Sequence, residues 1–374
     1  MAITVGALRE VAAGERRVAV TPEVARKLQG RGMQVLLERG AGAAAGFPDA
    51  AYAGVEFAEA SAVLARADLL ACVLPPADAA LEQMREGAIV VGQLRPHDAA
   101  TRTLALGRRR LSAFALELLP RTTRAQAMDV LSSQAAVAGY RAMLIAAEAC
   151  PKFFPMLTTA AGTIRPSRVL VIGAGVAGLQ AIATARRLGA QTEGYDVRPE
   201  TREQVESLGA KFLDLGVSAA GSGGYARELS EDERRAQQQA LADHLKALDV
   251  VVSTAAVPGR PAPKILGKAM VEGMKPGALI VDLAAESGGN CELTRPGERV
   301  EHAGVTILGP LNLPAGAPLH ASEMYARNVF NFVELLLRDG ALAPDFGDEL
   351  VARTCLTQDG RPCAQGDGNH AHRP

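Results

Sequence analysis

Short apolar runs alternate with amphipathic segments through the first third of this chain. The apolar runs cover residues 3–8 and then Gln34–Glu38, Val55–Ala58, Asp68–Leu74, Ala88–Gly92 and Ser112–Leu118. Segments with helical periodicity lie between them, at residues 22–30 and at Ala60–Arg66, Ala77–Arg85 and Asp98–Arg110. Thr21 precedes the first helix as an N-cap, and Pro22 takes the first helical position. Strands that alternate with helices predict a largely parallel sheet covered by helices.

A second set of alternating segments follows between residues 168 and 309. Its strands are predicted at Val169–Ile172, Gln191–Tyr195, Lys211–Leu213, Val250–Ser253, Leu279–Leu283 and Val305–Leu308. Six strands match the count of a doubly wound dinucleotide-binding fold. The helix predicted at Ser322–Arg338 returns the chain to the first set. We therefore expect an α/β protein of two Rossmann-like, doubly wound parallel-sheet domains joined by long helices, with bounds 1–133 plus 319–374 and 134–318.

Several segments break this alternation. Pro120–Gln134 is predicted as a polar loop, and the long helix Ala135–Ala149 follows it. Residues 216–227 are rich in Gly and Ser, and a loop of this length inside a compact domain is either functional or disordered. Glu231–Leu248 is predicted as an exposed, charged helix. Residues 365–374 are expected to be a disordered tail whose two histidines are solvated and bind no metal.

Composition narrows the class of protein. The chain has 374 residues, a net charge of −1 and 48% hydrophobic residues, so it can bury full cores and has no basic excess that would bind nucleic acid. The five cysteines are scattered, which favours reduced thiols over disulfides or a metal site, although Cys355 and Cys363 are close enough to pair. The N-terminus lacks the pattern of a signal peptide. No uncharged apolar stretch approaches the ~20 residues of a membrane span, so we expect this polypeptide to be soluble by itself.

Three glycines directly after the strand Val169–Ile172 carry the strongest sign of a ligand. Gly173, Gly175 and Gly178 have the G-x-G-x-x-G spacing, with a strand before them and a helix after them. Gly173 permits the tight turn, Gly175 lets a pyrophosphate approach the backbone, and Gly178 allows close packing of helix on strand. The first helical residues, Val176 and Ala177, offer N–H groups and the positive end of the helix dipole to phosphates. This stretch predicts dinucleotide binding.

Acidic and amide residues after the later strands complete the predicted cofactor site. Asp196 follows Gly178 by eighteen residues, where a carboxylate accepts hydrogen bonds from the adenosine ribose and disfavours the 2′-phosphate of NADP. Arg198 could lie beside the adenine or be solvated. Asp282 and Asn290 flank the loop after the fifth strand, where nicotinamide should bind. Glu286 in that loop is either a ribose ligand or a structural hydrogen-bond partner.

Five stretches together resemble a known family. They are Glu15–Pro22, Gln126–Gln134, Gly173–Ala185, Glu203–Gly209 and Val281–Asn290. They look like the NAD(H)-binding domain I of proton-translocating nicotinamide nucleotide transhydrogenase, in particular the free-standing first alpha subunit of split bacterial enzymes. The resemblance covers nearly the whole chain. Alanine dehydrogenase is the close relative with the same architecture.

The resemblance implies roles for polar residues outside the glycine turn. Arg121 would hold the carboxamide of the nicotinamide, Asp129 would orient Arg121, Ser132 would support the same amide, and Gln126 would reach toward the nucleotide on a partner domain. The Gly/Ser-rich segment would be a mobile loop that closes over the nucleotide with Tyr225 inward. The alternatives are that Asp129 only caps the following helix, that Arg121 is a surface residue and that the loop has no function.

The resemblance also implies a reaction and partners. Hydride would pass directly from NADH on this chain to NADP+ on an NADP(H)-binding subunit, and membrane-spanning subunits would couple the transfer to proton translocation. The chain would form a homodimer on the cytoplasmic face of the membrane and contact the membrane only through its partners.

Two other functions stay open on sequence. An alanine dehydrogenase must protonate its substrate, and the family uses a Lys before the Pro that ends a first-domain strand, where this chain has Leu74. The dehydrogenases pair that Lys with a nearby His, but His97 of this chain lies beyond Pro96, so its placement does not match clearly. The stretch that carries the dehydrogenase's active-site Asp reads Ala285-Glu286-Ser287 here. The third possibility is a redox-sensing protein that binds NAD(H) without turnover.

Overall fold

The computed structural model describes residues 2–98, 100–216, 230–256 and 260–363. The helices are α1 Pro22–Gly30, α2 Ala60–Arg66, α3 Asp78–Leu81, α4 Ala100–Arg108, α5 Val130–Ala149, α6 Val176–Arg187, α7 Thr201–Ser207, α8 Glu231–Leu245, α9 Lys268–Glu272, α10 Pro318–Leu335 and α11 Glu349–Thr354. The strands are β1 Thr4–Ala7, β2 Gln34–Glu38, β3 Glu56–Ala58, β4 Leu69–Ala71, β5 Ile89–Gly92, β6 Ser112–Ala115, β7 Leu157–Thr159, β8 Gly162–Ile164, β9 Arg168–Ile172, β10 Gln191–Tyr195, β11 Lys211–Phe212, β12 Val250–Ser253, β13 Leu279–Asp282, β14 Arg299–His302, β15 Val305–Leu308, β16 Leu337–Arg338, β17 Ala341–Leu342, β18 Cys355–Gln358 and β19 Arg361–Pro362.

The chain divides into two compact units. Unit 1 comprises residues 1–134 and 315–374, and unit 2 comprises residues 135–314. The sheet of unit 1 has the order β19-β18-β6-β5-β4-β1-β2-β3, in which β1 to β6 are parallel and the two C-terminal strands are antiparallel. The sheet of unit 2 has the order β11-β10-β9-β12-β13-β15-β14, antiparallel only at β14. When the antiparallel strands are left out, the strand order of each sheet is that of a doubly wound nucleotide-binding fold. This order confirms the predicted fold class.

Each sheet is buried on both faces, which explains why its strands are continuous apolar runs. In unit 1, Leu69 packs into the core on one face and Leu70 into the core on the other. In unit 2, Val169 and Val171 face one core, while Leu170 and Ile172 face the opposite one. Successive side chains of a strand point to opposite faces, so one short strand contributes to two cores.

Local sequence signals set several element boundaries. The Thr21 hydroxyl accepts a hydrogen bond from the Val24 backbone N–H, and this cap begins α1 as predicted. Ser230 and Glu233 form a reciprocal capping box at the start of α8. The elements missed include the hairpin of β7 and β8, the antiparallel strand β14 and the hairpin of β16 and β17. The expected strand Ser112–Leu118 ends at Ala115 and continues as a turn of 3₁₀ helix.

One expectation about the cysteines needs correction. Cys355 and Cys363 form a disulfide, with Cα atoms 6.0 Å apart. The turn between β18 and β19 folds the chain back on itself and brings the two thiols together. In addition, α5 is long and apolar enough to cross a membrane by length and composition, although core helices meet the same criterion. Its side chains Ala142, Met143 and Ala146 are fully buried in a core of unit 2.

Candidate functional site

The turn between β9 and α6 in unit 2 has room only for glycine at two of its three motif positions. Gly173 has φ +94°, a backbone conformation that favours glycine. A Cβ on Gly178 would lie 1.7 Å from the Gly173 carbonyl oxygen. The helix therefore packs directly on the end of the strand. The Thr254 hydroxyl supports the turn from β12 by donating to the Gly173 carbonyl at 3.0 Å.

Gly175 differs from the other two glycines of the motif. Its φ of −80° and ψ of −170° are open to any residue, and a Cβ there would meet no atom within 4 Å. The position is thus open space in front of the helix N-terminus. Glycine has no side chain to cap α6, so the N–H groups of Val176 and Ala177 can serve phosphate oxygens.

Asp196 lies at the end of β10, beside the same turn. Its carboxylate accepts hydrogen bonds from the backbone N–H of Ala174, at 2.8 Å, and of Arg198, at 2.9 Å. The Arg198 guanidinium donates two more, through Nε at 3.0 Å and Nη2 at 2.9 Å. Burial acts to raise the pKa of Asp196, but Arg198 and the backbone donors outweigh it and lower that pKa. Arg198 is therefore ion-paired with Asp196. The sequence had suggested either a position beside the adenine or a solvated side chain.

Asp282 and Asn290 fix the loops that follow β12 and β13. Both residues are 0% exposed. The Asp282 carboxylate accepts from Ser253 Oγ, Ala284 N, Cys291 N and Thr294 Oγ1, at 2.6 to 3.2 Å. The Asn290 side chain accepts from Ala255 N and donates to the carbonyls of Ala255 and Pro263. The polar atoms of both residues are bonded within the protein, so in this structure both side chains hold the loops in place.

Glu286 remains accessible in the same loop. It lies in a 3₁₀ helix, Ala285–Ser287, is exposed, and accepts a hydrogen bond from the Asn312 backbone N–H at 2.6 Å. Tyr225 lies outside the described residues. Among the described residues, no cluster of His, Cys, Asp or Glu side chains could hold a metal ion.

The segment 120–134 in unit 1 is not a loop throughout. Thr123–Met128 forms a 3₁₀ helix, and α5 begins at Val130, five residues earlier than predicted. Asp129 caps α5: its carboxylate accepts from the Ser132 backbone N–H at 2.9 Å and from the Ser132 hydroxyl at 2.6 Å. Within the described structure Asp129 forms no ion pair with Arg121, and its carboxylate bonds the start of α5, as the helix-cap alternative expects. Arg121 and Gln126 are exposed.

Directly behind this segment is a buried charged network that was not predicted as a site. Arg17 donates to Glu15 through Nε at 2.8 Å and Nη2 at 2.7 Å, and to Gln134 Oε1 through Nη1 at 2.8 Å. The side chains of Arg17 and Glu15 are 4% and 0% exposed. Gln134 in turn donates to the Ala321 carbonyl at 3.1 Å. The sequence shows Glu15 and Arg17 as near neighbours, but it does not show that Arg17 contacts Gln134, 117 residues away.

Glu10 occupies the carboxyl edge of the unit 1 sheet. It accepts from the backbone N–H of Val73 at 2.6 Å and of Leu74 at 3.3 Å. Burial raises the pKa of Glu10 to about 7, although the two backbone donors oppose the shift. The side chain of Leu74 adds no acid or base at this edge.

Together, the unit 2 turn, the carboxylate beside it and the two sheet orders define a Rossmann-type dinucleotide-binding protein. Residues 6–138 match the family model for the alanine dehydrogenase/PNT N-terminal domain, and residues 142–365 match that for the C-terminal domain. The chain belongs to the alanine dehydrogenase/PNT family.

Two transhydrogenases and one alanine dehydrogenase illustrate its similarities. The chain is 44% identical over 372 residues to an NAD(P) transhydrogenase alpha subunit of Rhodospirillum rubrum, covering 95% of this chain and 97% of the relative. It matches the crystal structure of transhydrogenase from Sinorhizobium meliloti with a TM-score of 0.88 at 42% identity, covering 96% and 99% of the two chains. The alanine dehydrogenase of Mycolicibacterium smegmatis is 28% identical over 370 residues, covering 96% and 94%.

Proposed function

We propose that this chain is the NAD(H)-binding component of a proton-translocating NAD(P) transhydrogenase. It binds NADH and transfers a hydride directly to NADP+ held on a partner subunit, and membrane-spanning subunits couple that transfer to proton translocation. The proposal is supported by the similarity to named transhydrogenase alpha subunits over nearly the full chain.

The cofactor is held by unit 2 in this proposal. The turn Gly173–Gly178 binds the pyrophosphate through backbone N–H groups. Asp196 accepts from the adenosine ribose, and its negative charge selects NAD(H) over NADP(H). Arg198 must give up guanidinium bonds to Asp196 when the ribose binds, because four donors already share that carboxylate. Glu286 is assigned to the nicotinamide ribose, and Tyr225 to a loop that closes over the nucleotide.

The segment 121–132 orients the nicotinamide. Arg121 and Ser132 hold the carboxamide, and Gln126 reaches toward the NADP(H)-binding subunit. Asp129 acts by fixing Ser132 and the first turn of α5. Hydride transfer between two nicotinamide rings requires near-attack positioning of the C4 atoms and no protonation of a substrate.

One observation favours this function over that of an amino-acid dehydrogenase. At the carboxyl edge of unit 1, the position before Pro75 is the apolar Leu74, and Arg17 is engaged with Glu15 and Gln134. Neither residue offers the proton donor that reductive amination needs.

We also propose a homodimer at the cytoplasmic face of the membrane. The β7–β8 hairpin is exposed along both strands, and apolar side chains on and before it are accessible, among them Met156 at 65% and Ile164 at 44%. A two-stranded hairpin is marginally stable alone in water, which favours its packing against a second copy.

Mixing experiments test the proposed activity. The protein should bind NADH, reduce no pyruvate in the presence of ammonium, and exchange hydride when a separately made NADP-binding domain is added. Arg121→Ala should lose hydride exchange and largely retain NADH binding. Arg66→Ala, which removes an exposed ion pair with Glu56, is the matched control and should behave like the wild type. Pyruvate reduction without exchange would identify an alanine dehydrogenase instead.

A further inference from the structure

Two asparagines of α10 converge on one carbonyl oxygen of the segment that carries Gln126. The side-chain amides of Asn328 and Asn331 both donate to the Ala127 carbonyl, each at 2.8 Å. Residues three apart on a helix share a face, so the two amides act as a pair. All three residues belong to unit 1.

The segment needs external support because its own hydrogen bonds are poor. Thr123–Met128 is a 3₁₀ helix of six residues, a form with weaker hydrogen-bond geometry than an α-helix. Its last backbone bond, from Asp129 N to Gln126 O, is 3.4 Å long. Arg124 forms an ion pair with Asp348, but Arg124 is 55% exposed, and exposed pairs contribute little. Besides the buried side chains of Ala125 and Met128, the paired amides therefore provide the main polar attachment of the segment.

The side chain of Asn328 lowers the stability of the fold through one of its two polar atoms. It is 8% exposed, and its Oδ1 atom has no hydrogen-bond partner among the described residues. A buried acceptor without a partner destabilises the fold, and an apolar residue of similar size would remove that penalty. The helix around it is well packed, with Tyr325 and Phe332 both fully buried. An asparagine at this position is thus better explained by what its amide holds than by its contribution to the core.

We propose that Asn328 and Asn331 are positioning residues for hydride transfer, which act through the Ala127 carbonyl to set the backbone that carries Gln126. This inference rests on the proposed function, because the reaction it concerns is the transfer to a partner-bound nucleotide. The asparagines contact no substrate themselves. They limit the freedom of a weak 3₁₀ turn next to the residue assigned to reach the partner.

The test separates stability from activity in one variant. Asn328→Leu/Asn331→Leu should keep or raise the thermal unfolding midpoint and keep the NADH dissociation constant within about twofold. Its hydride-transfer rate with the NADP-binding domain should fall roughly tenfold or more, since small misplacements of reacting groups have effects of that size. Arg327→Ala, on the same helix but paired with Glu23, is the control and should leave the rate unchanged.

A double-mutant cycle with Gln126→Ala shows whether the effect runs through Gln126. Replacing Gln126 should lower the rate less in the double-leucine background than in the wild type. Equal rates in the double-leucine variant and the wild type, or fully additive effects, would overturn the inference. If the double variant does not fold, Asn331→Ala alone gives the same comparison, because Asn331 is only half-buried. Absence of transfer in the wild type would instead refute the proposed function.

Discussion

Substituting alanine at two glycines of the same turn should separate cofactor binding from folding. Gly175→Ala places a methyl group in open space, with no atom within 4 Å and a φ of −80° that alanine adopts without strain. We expect the free energy of unfolding to change by no more than about 0.5 kcal/mol. In the proposed binding mode, the same methyl group would take space needed by the pyrophosphate. NADH affinity should therefore fall at least about tenfold, or about 1.4 kcal/mol.

Gly178→Ala should instead lower the free energy of unfolding. Its Cβ would lie 1.7 Å from the Gly173 carbonyl oxygen and 2.8 Å from the carbonyl carbon, so α6 must move away from β9. Overpacking of this kind costs about 3 kcal/mol or more when backbone has to shift. Urea denaturation gives the unfolding free energies, and titration of NADH fluorescence gives the dissociation constants. Wild-type affinity in Gly175→Ala would refute the assignment of this turn as the pyrophosphate anchor, and wild-type stability in Gly178→Ala would refute the described helix–strand contact.

Three further outcomes can be measured. Gly139→Ala should lower stability by about 2 kcal/mol and weaken NADH binding, because its Cβ would lie 2.0 Å from the Ala177 carbonyl oxygen at the start of α6. The pKa of Glu10 is raised from 4.5 to about 7 in the folded protein, so its protonated side chain contributes on the order of 2–3 kcal/mol to the free energy of unfolding below pH 4.5, and this contribution is lost as the pH rises to about 7. Glu10→Gln should flatten that decline in pH-dependent denaturation. Replacing Cys355 and Cys363 by Ser should lower the unfolding free energy by about 2–3 kcal/mol, and dithiothreitol should then have no additional effect.

The fold and the glycine turn were predictable because their signals are local. The run Arg168–Ile172, the glycine spacing and the helix after it lie within 20 residues, and each constrains the backbone without help from the rest of the chain. Alternation of strands and helices then restricts the topology to a few right-handed arrangements. The observed strand orders belong to that restricted set.

Residue roles were less predictable because they depend on distant partners. Asp282 and Asn290 were predicted to flank the loop after the fifth strand, but only their burial and their hydrogen bonds show that they hold the backbone. Asp129 could be an orienting carboxylate or a helix cap on spacing alone, and only the contact with Ser132 shows that it caps α5. The Arg17–Gln134 contact joins positions too far apart in sequence for any local pattern to reveal.

Isotope tracing tests the central claim most directly. NADH that carries deuterium at the transferable C4 position would be bound to this protein and mixed with NADP+ on the separately made NADP-binding domain. Direct transfer predicts that the deuterium appears in NADPH without loss to water. Deuterium released to solvent, or NADPH formed without the label, would contradict direct hydride transfer, and absence of NADPH would contradict the assigned activity.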